Sequence, residues 1–410
     1  MTRECKSLAR LFQATICTLL LSVPGIAQHQ PAFTTIDAPL AGTSYGYGTE
    51  VIAVNLFGVA AGYYVGNDNI VHGYARTPDG TFIRIDGPQC GAGQTSQCVP
   101  SSLPDSDDPF TPPSTWINLN APGTYAAAVD LMGGVTGYYV DANGVAWGFL
   151  RRGPGPAWIR DEHRGEFTSI VVPDAGTQAG QGTFATNINW EGTIAGYYVD
   201  ASYGNHGFVR AINGAITEFD VPDGIGNTFV SWAQCISATG AVAGNYFDSA
   251  GQSYGFVRHP NGKSFTTFEY MDPDQNQDLT PWTEQGTNIW GINAAGATVG
   301  AFIDANNIYH GLVRTADGKI TVFDAPPAAA GAHTVSEAIN DEGAVVGFYN
   351  DANGVHHGFL RSADGRFTYF DDPNGGGEFH QGTVPMFNIG DTVAGFYEDG
   401  DYVWHGFMRK

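Results

Sequence analysis

Asp and His recur in this chain as a pair six residues apart: Asp200/His206, Asp304/His310, Asp351/His357 and Asp399/His405. Carboxylate and imidazole at fixed spacing are the parts of a metal site or an acid–base pair. A single active site does not recur along a chain, so the recurrence reads as a His held by carboxylates in every repeat. The Asp-Ala-Asn-Gly turns at Asp141 and Asp351 have some of the look of a calcium loop. They lack its alternating acids and closing Glu, so no metal site is assigned and no cofactor is expected, calcium being the one ion left open. Among the acids expected near the axis of the repeat, Glu50 and Glu337 are the least repeat-like and are the candidates for paired carboxylates. Tyr125, Trp232, Gln234, Trp282, Trp290 and Glu337 are the candidate ligand-binding residues, because aromatic faces stack on sugars while acids and amides bond hydroxyls. No His-Glu-x-x-His or Ser-x-Asp-x-Gly-x-x-Trp motif is present, and Gly262-Lys263-Ser264 lacks the upstream Gly of a phosphate loop.

What positions these residues is a repeat. One phrase occurs seven times, from His72-Gly73-Tyr74-Ala75-Arg76 and Trp147-Gly148-Phe149-Leu150-Arg151 through to His405-Gly406-Phe407-Met408-Arg409. A second phrase precedes each copy and is headed by Gly62, Gly137, Gly196, Gly244, Gly300, Gly347 or Gly395. Four residues after that Gly comes an Asp in six copies, and Gly66 in the first. Seven residues before it lies Asn55, Asp130, Asn189, Ser237, Asn293, Asn340 or Asn388. The Arg that closes each first phrase is expected to bond a neighbouring carboxylate or carbonyl.

Four short strands fit one repeat. In the copy at 334–370 they are a (Thr334–Ile339), b (Val345–Asn350), c (His356–Ser362) and d (Phe367–Phe370), joined by Asn/Asp/Gly hairpins. Seven such units predict an all-β fold, a seven-bladed β-propeller of four-stranded antiparallel blades in one domain, 28–410. The seventh copy ends after strand c. Phe33–Pro39 matches the ending of other d strands, such as Phe323-Asp324-Ala325-Pro326, and is expected to complete that blade and close the ring.

Strand a lines the axis of a propeller, so its variable positions matter. Glu50, Tyr125, Phe184, Trp232, Asn288 and Val335 align there, and Ile52, Ala127, Thr186, Gln234, Trp290 and Glu337 follow two positions on. Insertions break the repeat at Gly87–Ser114, Met271–Gln285 and Gly153–Glu166. The first two, one carrying Trp282, are expected on the face of the b–c turns, the third on the other face.

The 410 residues carry 56 Gly and a formal net charge of −23. Gly-rich turns between aromatic and β-branched runs suit an all-β protein. The acidic surface excludes nucleic acid as a partner. Residues 1–27 read as a signal peptide, basic and then apolar but too short to span a membrane, so no membrane insertion is expected. The protein is expected to be secreted, extracellular or periplasmic, and monomeric. Export makes a disulfide between Cys90 and Cys98 the expectation, and Cys235 reads as a buried small hydrophobe.

The repeats resemble the bacterial extracellular repeat family with the His-Ala-Phe signature, with Gly in place of Ala. The likeness implies an exported repeat protein and brings no defined activity. The function expected is a secreted binding propeller for a glycan or other small molecule. The alternatives are a propeller-type glycoside hydrolase or polysaccharide lyase using Glu50 and Glu337, and an extracellular scaffold.

Overall fold

The computed structural model describes residues 32–88, 122–152, 165–222, 228–229, 231–248, 252–270, 285–328 and 330–410. Residues 1–27, Cys90, Cys98 and Trp282 lie outside these segments. Among the described residues every regular element is a strand, so none forms a helix able to cross a membrane. Cys235 is a buried free thiol.

The unit Phe33–Lys410 opens with β1 (Phe33–Ile36). The first four-stranded set is β2 (Gly48–Val54), β3 (Ala60–Val65), β4 (Val71–Arg76) and β5 (Phe82–Ile85). The second is β6 (Gly123–Val129), β7 (Val135–Val140), β8 (Ala146–Arg152) and β9 (Glu166–Ile170). The third is β10 (Gly182–Ile188), β11 (Ile194–Val199), β12 (Asn205–Arg210) and β13 (Ile216–Phe219), followed by a small pair, β14 (Val221–Pro222) and β15 (Thr228–Phe229). The next is β16 (Ser231–Ile236), β17 (Val242–Phe247), β18 (Ser253–Arg258) and β19 (Phe265–Phe268). Then come β20 (Gly286–Ile292), β21 (Thr298–Ile303), β22 (Tyr309–Arg314) and β23 (Ile320–Phe323). The set at the predicted strands is β24 (Thr334–Ile339), β25 (Val345–Asn350), β26 (His356–Arg361) and β27 (Phe367–Phe370). The last three strands are β28 (Gly382–Ile389), β29 (Thr392–Glu398) and β30 (Trp404–Arg409).

Within each set successive strands pair antiparallel. The outer partner of β30 is β1, in register from Phe33 opposite Arg409 to Ile36 opposite Gly406. The first strand of each set contacts the first strand of the next, and β28 contacts β2. Between sets the strands meet at parallel bridges such as Gly123 to Val71, Gly182 to Ala146, Gly382 to His356, and Gly48 to Trp404, flanked by backbone bonds such as Ala146 N to Gln181 O and Gly180 N to Gly144 O. The architecture is all-β, built of propeller-type units about a central apolar core that includes Tyr63, Tyr125, Tyr138, Phe184, Val335, Phe348, Val384 and Phe396.

The repeated polar residues hold this arrangement. Asn55 Oδ1 accepts from Phe57 N and Val59 N in its own a–b turn, while Nδ2 donates to the Asp130 carbonyl in the next set. Asn189 and Asn293 donate in the same sense, to Ser237 O and Asn340 O. A Thr early in strand a accepts from the backbone N–H just after the preceding d strand, as in Ala38 to Thr49, Val172 to Thr183 and Asp372 to Thr383. The His is clamped between two acids. Nδ1 of His72, His206, His310, His357 and His405 meets the acid after strand d, at 2.7–3.0 Å, in Asp86, Asp220, Asp324, Asp371 and Asp37. Nε2 faces the b–c turn acid, at 3.2 Å in His405–Asp399 and 3.5 Å in His206–Asp200. In the first set, where Gly66 replaces that acid, Asp68 takes its place.

The Arg expectation holds at Arg314, whose Nη1 donates to the Thr315 carbonyl at 3.4 Å, and the structure adds a second partner, an aromatic ring. Arg258, Arg314, Arg361 and Arg409 lie over the strand-d rings of the preceding set, Phe219, Phe268, Phe323 and Phe370, at 4.4–4.7 Å. The guanidinium is wedged between two sheets, where a ring face offers both contact area and negative quadrupole potential. Burial lowers the pKa of all four.

Asp37 and β1 thus tie the start of the Phe33–Lys410 unit to its last strand, β30. The Asp37 bond raises the His405 pKa above its ordinary value, so its contribution is full below pH 6.5 and lost as pH rises through the raised value. Deleting residues 28–39 should lower the thermal midpoint by several degrees and promote aggregation through the exposed edge of β30. Calorimetry showing an unchanged midpoint would contradict the role of this pairing.

Candidate functional site

Each first strand carries one β-bulge, at the same place. The register of β2 on β3 skips Ile52, that of β6 on β7 skips Ala127, and that of β10 on β11 skips Thr186. Gln234, Trp290, Glu337 and Met386 are skipped in β16, β20, β24 and β28. A bulge leaves one residue out of the ladder and re-aims its side chain. All of these residues line one cavity of about 420 Å³, within the usual range for small-molecule sites.

The Gly heading the second phrase makes the bulge possible. A Cβ built on Gly62 would lie 2.0 Å from the Glu50 carbonyl oxygen, and one on Gly137 1.9 Å from that of Tyr125. At Gly244 and Gly347 the figures are 1.8 Å to Trp232 O and 1.9 Å to Val335 O. These are less than any real Cβ tolerates, so a side chain is excluded there.

Tyr63, Tyr125 and Tyr138 border the cavity on the side of the central core. Their rings form a run, Tyr63–Tyr125 at 5.6 Å, Tyr125–Tyr138 stacked at 5.0 Å, Tyr138–Phe184 at 5.0 Å and Phe184–Tyr197 stacked at 4.7 Å. The mouth is formed by the a–b turns. Leu56 and Trp190 are exposed on one arc, and Asp341 and Glu342 are exposed on another. No Lys, Arg or His is among the described lining residues.

The candidate residues separate by position. Tyr125, Gln234, Trp290 and Glu337 come together on the cavity. Trp232 does not line it and packs edge-on against Phe247 at 5.5 Å. Glu50, 2% exposed, is buried outside the cavity and accepts from the Tyr63 hydroxyl at 3.0 Å. Burial raises its carboxyl to about 8, against the Tyr63 bond and with repulsion from Glu398. Burial alone raises Glu337 to about 8, and its Oε1 has no hydrogen-bond partner among the described residues. Neither acid acts on the other's ionisation, and β28 stands between their strands. Among the described residues no group of three His, Cys, Asp or Glu could hold a metal ion.

Sequence reasoning missed Met386, Tyr63, Tyr138 and the turn residues of the mouth. It placed two of three insertions at the b–c face, whereas the cavity opens at the a–b turns, the other end of the strands. The available signal was the fixed offset between the strand-b Gly and strand a, which marks the bulge.

No family model and no curated protein matches the chain. Among solved structures it is similar to virginiamycin B lyase from Staphylococcus aureus, at 12% identity and a TM-score of 0.48, over 92% of this chain and 100% of that one. It is also similar to the polysaccharide lyase Uly1, at 11% identity and a TM-score of 0.46, over 95% and 93%. A fucose-specific lectin from Aleuria aurantia matches at 13% identity and a TM-score of 0.34, over 67% and 86%. Likeness at this level says nothing about activity.

A carboxyl whose folded pKa stands near 8 keeps its proton after the unfolded chain has lost it at about 4.5. Its contribution is full below pH 4.5 and lost as pH rises to 8. Glu50→Gln should therefore raise the unfolding free energy over wild type at pH 8 and much less at pH 5. Equal differences at both pH values in urea titrations would contradict the burial of an uncharged Glu50.

Proposed function

We propose that this is an exported protein of the extracellular repeat type, a seven-bladed β-propeller closed by β1, which binds a carbohydrate in its axial cavity without transforming it. The observation that carries the proposal is where the repeat varies. Strand-b Gly, strand-a Thr and the clamped His recur around the ring. The bulged wall instead reads Ile52, Ala127, Thr186, Gln234, Trp290, Glu337 and Met386. A scaffold needs the recurring residues to be alike and has no need for the wall to differ. A binding site needs a wall of unlike groups.

The chemistry of that wall suits a sugar. Trp290 and the Tyr125–Tyr138 stack supply aromatic faces, while Gln234, Thr186 and Glu337 supply donors and acceptors. Thr186 Oγ1 already donates to Ala233 O at 2.9 Å, which leaves its lone pairs to the cavity.

A thermal-shift screen of neutral and charged oligosaccharides tests this. A ligand at about 100 times its Kd should stabilise the protein by about 2.7 kcal/mol. Trp290→Ala and Gln234→Ala should each remove most of that gain while leaving the unliganded midpoint within a few degrees of wild type. Stabilisation that survives both substitutions would place the site elsewhere.

A further inference from the structure

We propose that the sugar taken by the axial cavity is an amino sugar, its protonated amine seated against Glu337 and its ring against Trp290; the proposal rests on the carbohydrate reading above. Glu337 is 8% exposed, lines the cavity, and leaves Oε1 without a hydrogen-bond partner among the described residues. An unmade bond at a buried oxygen is costly, and it persists where a ligand supplies the donor. The site chooses the charge of that donor. Among the described residues no cationic side chain lines the cavity, Asp341 and Glu342 stand at its mouth, and the chain carries −23. A concave, low-dielectric site with charge of one sign concentrates the opposite ion.

The neighbour of Glu337 suits the same cation. Trp290 is the bulged residue of β20, the strand beside β24. Gly291 follows it, and a Cβ there would lie 3.5 Å from the Glu337 carbonyl oxygen, so the two backbones run close. An ammonium between an indole face and a carboxylate gains a cation–π contact and a charge-assisted hydrogen bond together. A neutral sugar gains neither.

Binding of this kind moves a proton. In the empty cavity burial holds the Glu337 carboxyl at about 8, so at pH 7 it is mostly protonated. When the ammonium docks, the carboxyl ionises and its proton passes to the buffer, while the amine keeps its own.

The test is calorimetric titration of the full chain at pH 7 and 0.15 M salt with glucosamine trisaccharide and, separately, its N-acetylated counterpart, each in two buffers of different ionisation enthalpy. The expected result is binding of the free-amine sugar at least about tenfold more tightly than the acetylated one. Release should approach one proton per ligand and vanish in Glu337→Gln, with affinity down at least about tenfold. Equal binding of both sugars without proton release would overturn the amine assignment and leave the carbohydrate reading standing. Binding of the free-amine sugar that is unchanged in Glu337→Gln would mean surface attraction only and would overturn it as well. Binding of neither sugar, in a protein that a neutral oligosaccharide stabilises through Trp290, would overturn the amine assignment alone. No response to any sugar would overturn both.

Discussion

The strand-a carbonyl that occupies the place of a side chain on strand b is the contact on which the rest of the structure depends. At Gly62, Gly137, Gly196, Gly244, Gly300, Gly347 and Gly395 the space for a Cβ is filled by backbone oxygen at 1.8–2.1 Å. That approach belongs with the bulge, which in turn aims one residue per strand at the axis. The Gly is therefore the invariant that lets the aimed residue vary. Glu337 and Trp290 occupy the same structural position as Ala127, and the backbone around them is the same.

Around this constraint the sets are fastened to one another by side chains more than by sheet hydrogen bonds. Strand pairing between neighbouring sets is limited among the described residues to single bridges such as Gly48 to Trp404, flanked by the backbone bonds Gly46 N to Tyr402 O and Trp404 N to Tyr47 O; a Cβ on Gly48 would meet the Trp404 carbonyl oxygen at 2.0 Å. The remaining links are Asn amides reaching to the next turn, Thr hydroxyls accepting from the previous set, and Arg over the previous Phe. Each repeats with the period of the chain, which is why the polar residues in the phrases are structural. The clamped His belongs to this group. Held at both ring nitrogens by acids, His405 fastens Asp37, next to β1, to the last strand.

Much of this was legible because short-range grammar decides it. Strand limits in the copy at 334–370 follow from alternating apolar residues and Asn/Asp/Gly turns, and the structure agrees to within one residue, at Arg361. The partner of β30 followed from the ending shared by Ile36-Asp37-Ala38-Pro39 and Phe323-Asp324-Ala325-Pro326. The Arg–ring contacts were not foreseen because a guanidinium's partner across two sheets depends on packing, which no spacing within a repeat encodes. Glu50 and Glu337 looked equivalent as acids in strand a. Two residues of offset put one in the buried core beside Tyr63 and the other, on the bulge, in the cavity. Trp232 and Trp290 differ in the same way. A period of two along a strand predicts one face for such positions, and a bulge overrides it.

The close approach itself can be measured. Gly347→Ala places a methyl group 1.9 Å from the Val335 carbonyl oxygen, whereas Gly400 has nothing within 4 Å of a built Cβ. Equilibrium unfolding in urea should show Gly347→Ala destabilised by about 4 kcal/mol or more and Gly400→Ala changed by no more than about 0.5 kcal/mol. A Gly347→Ala protein as stable as the Gly400→Ala control would contradict the backbone contact on which the bulge, and with it the cavity, depends.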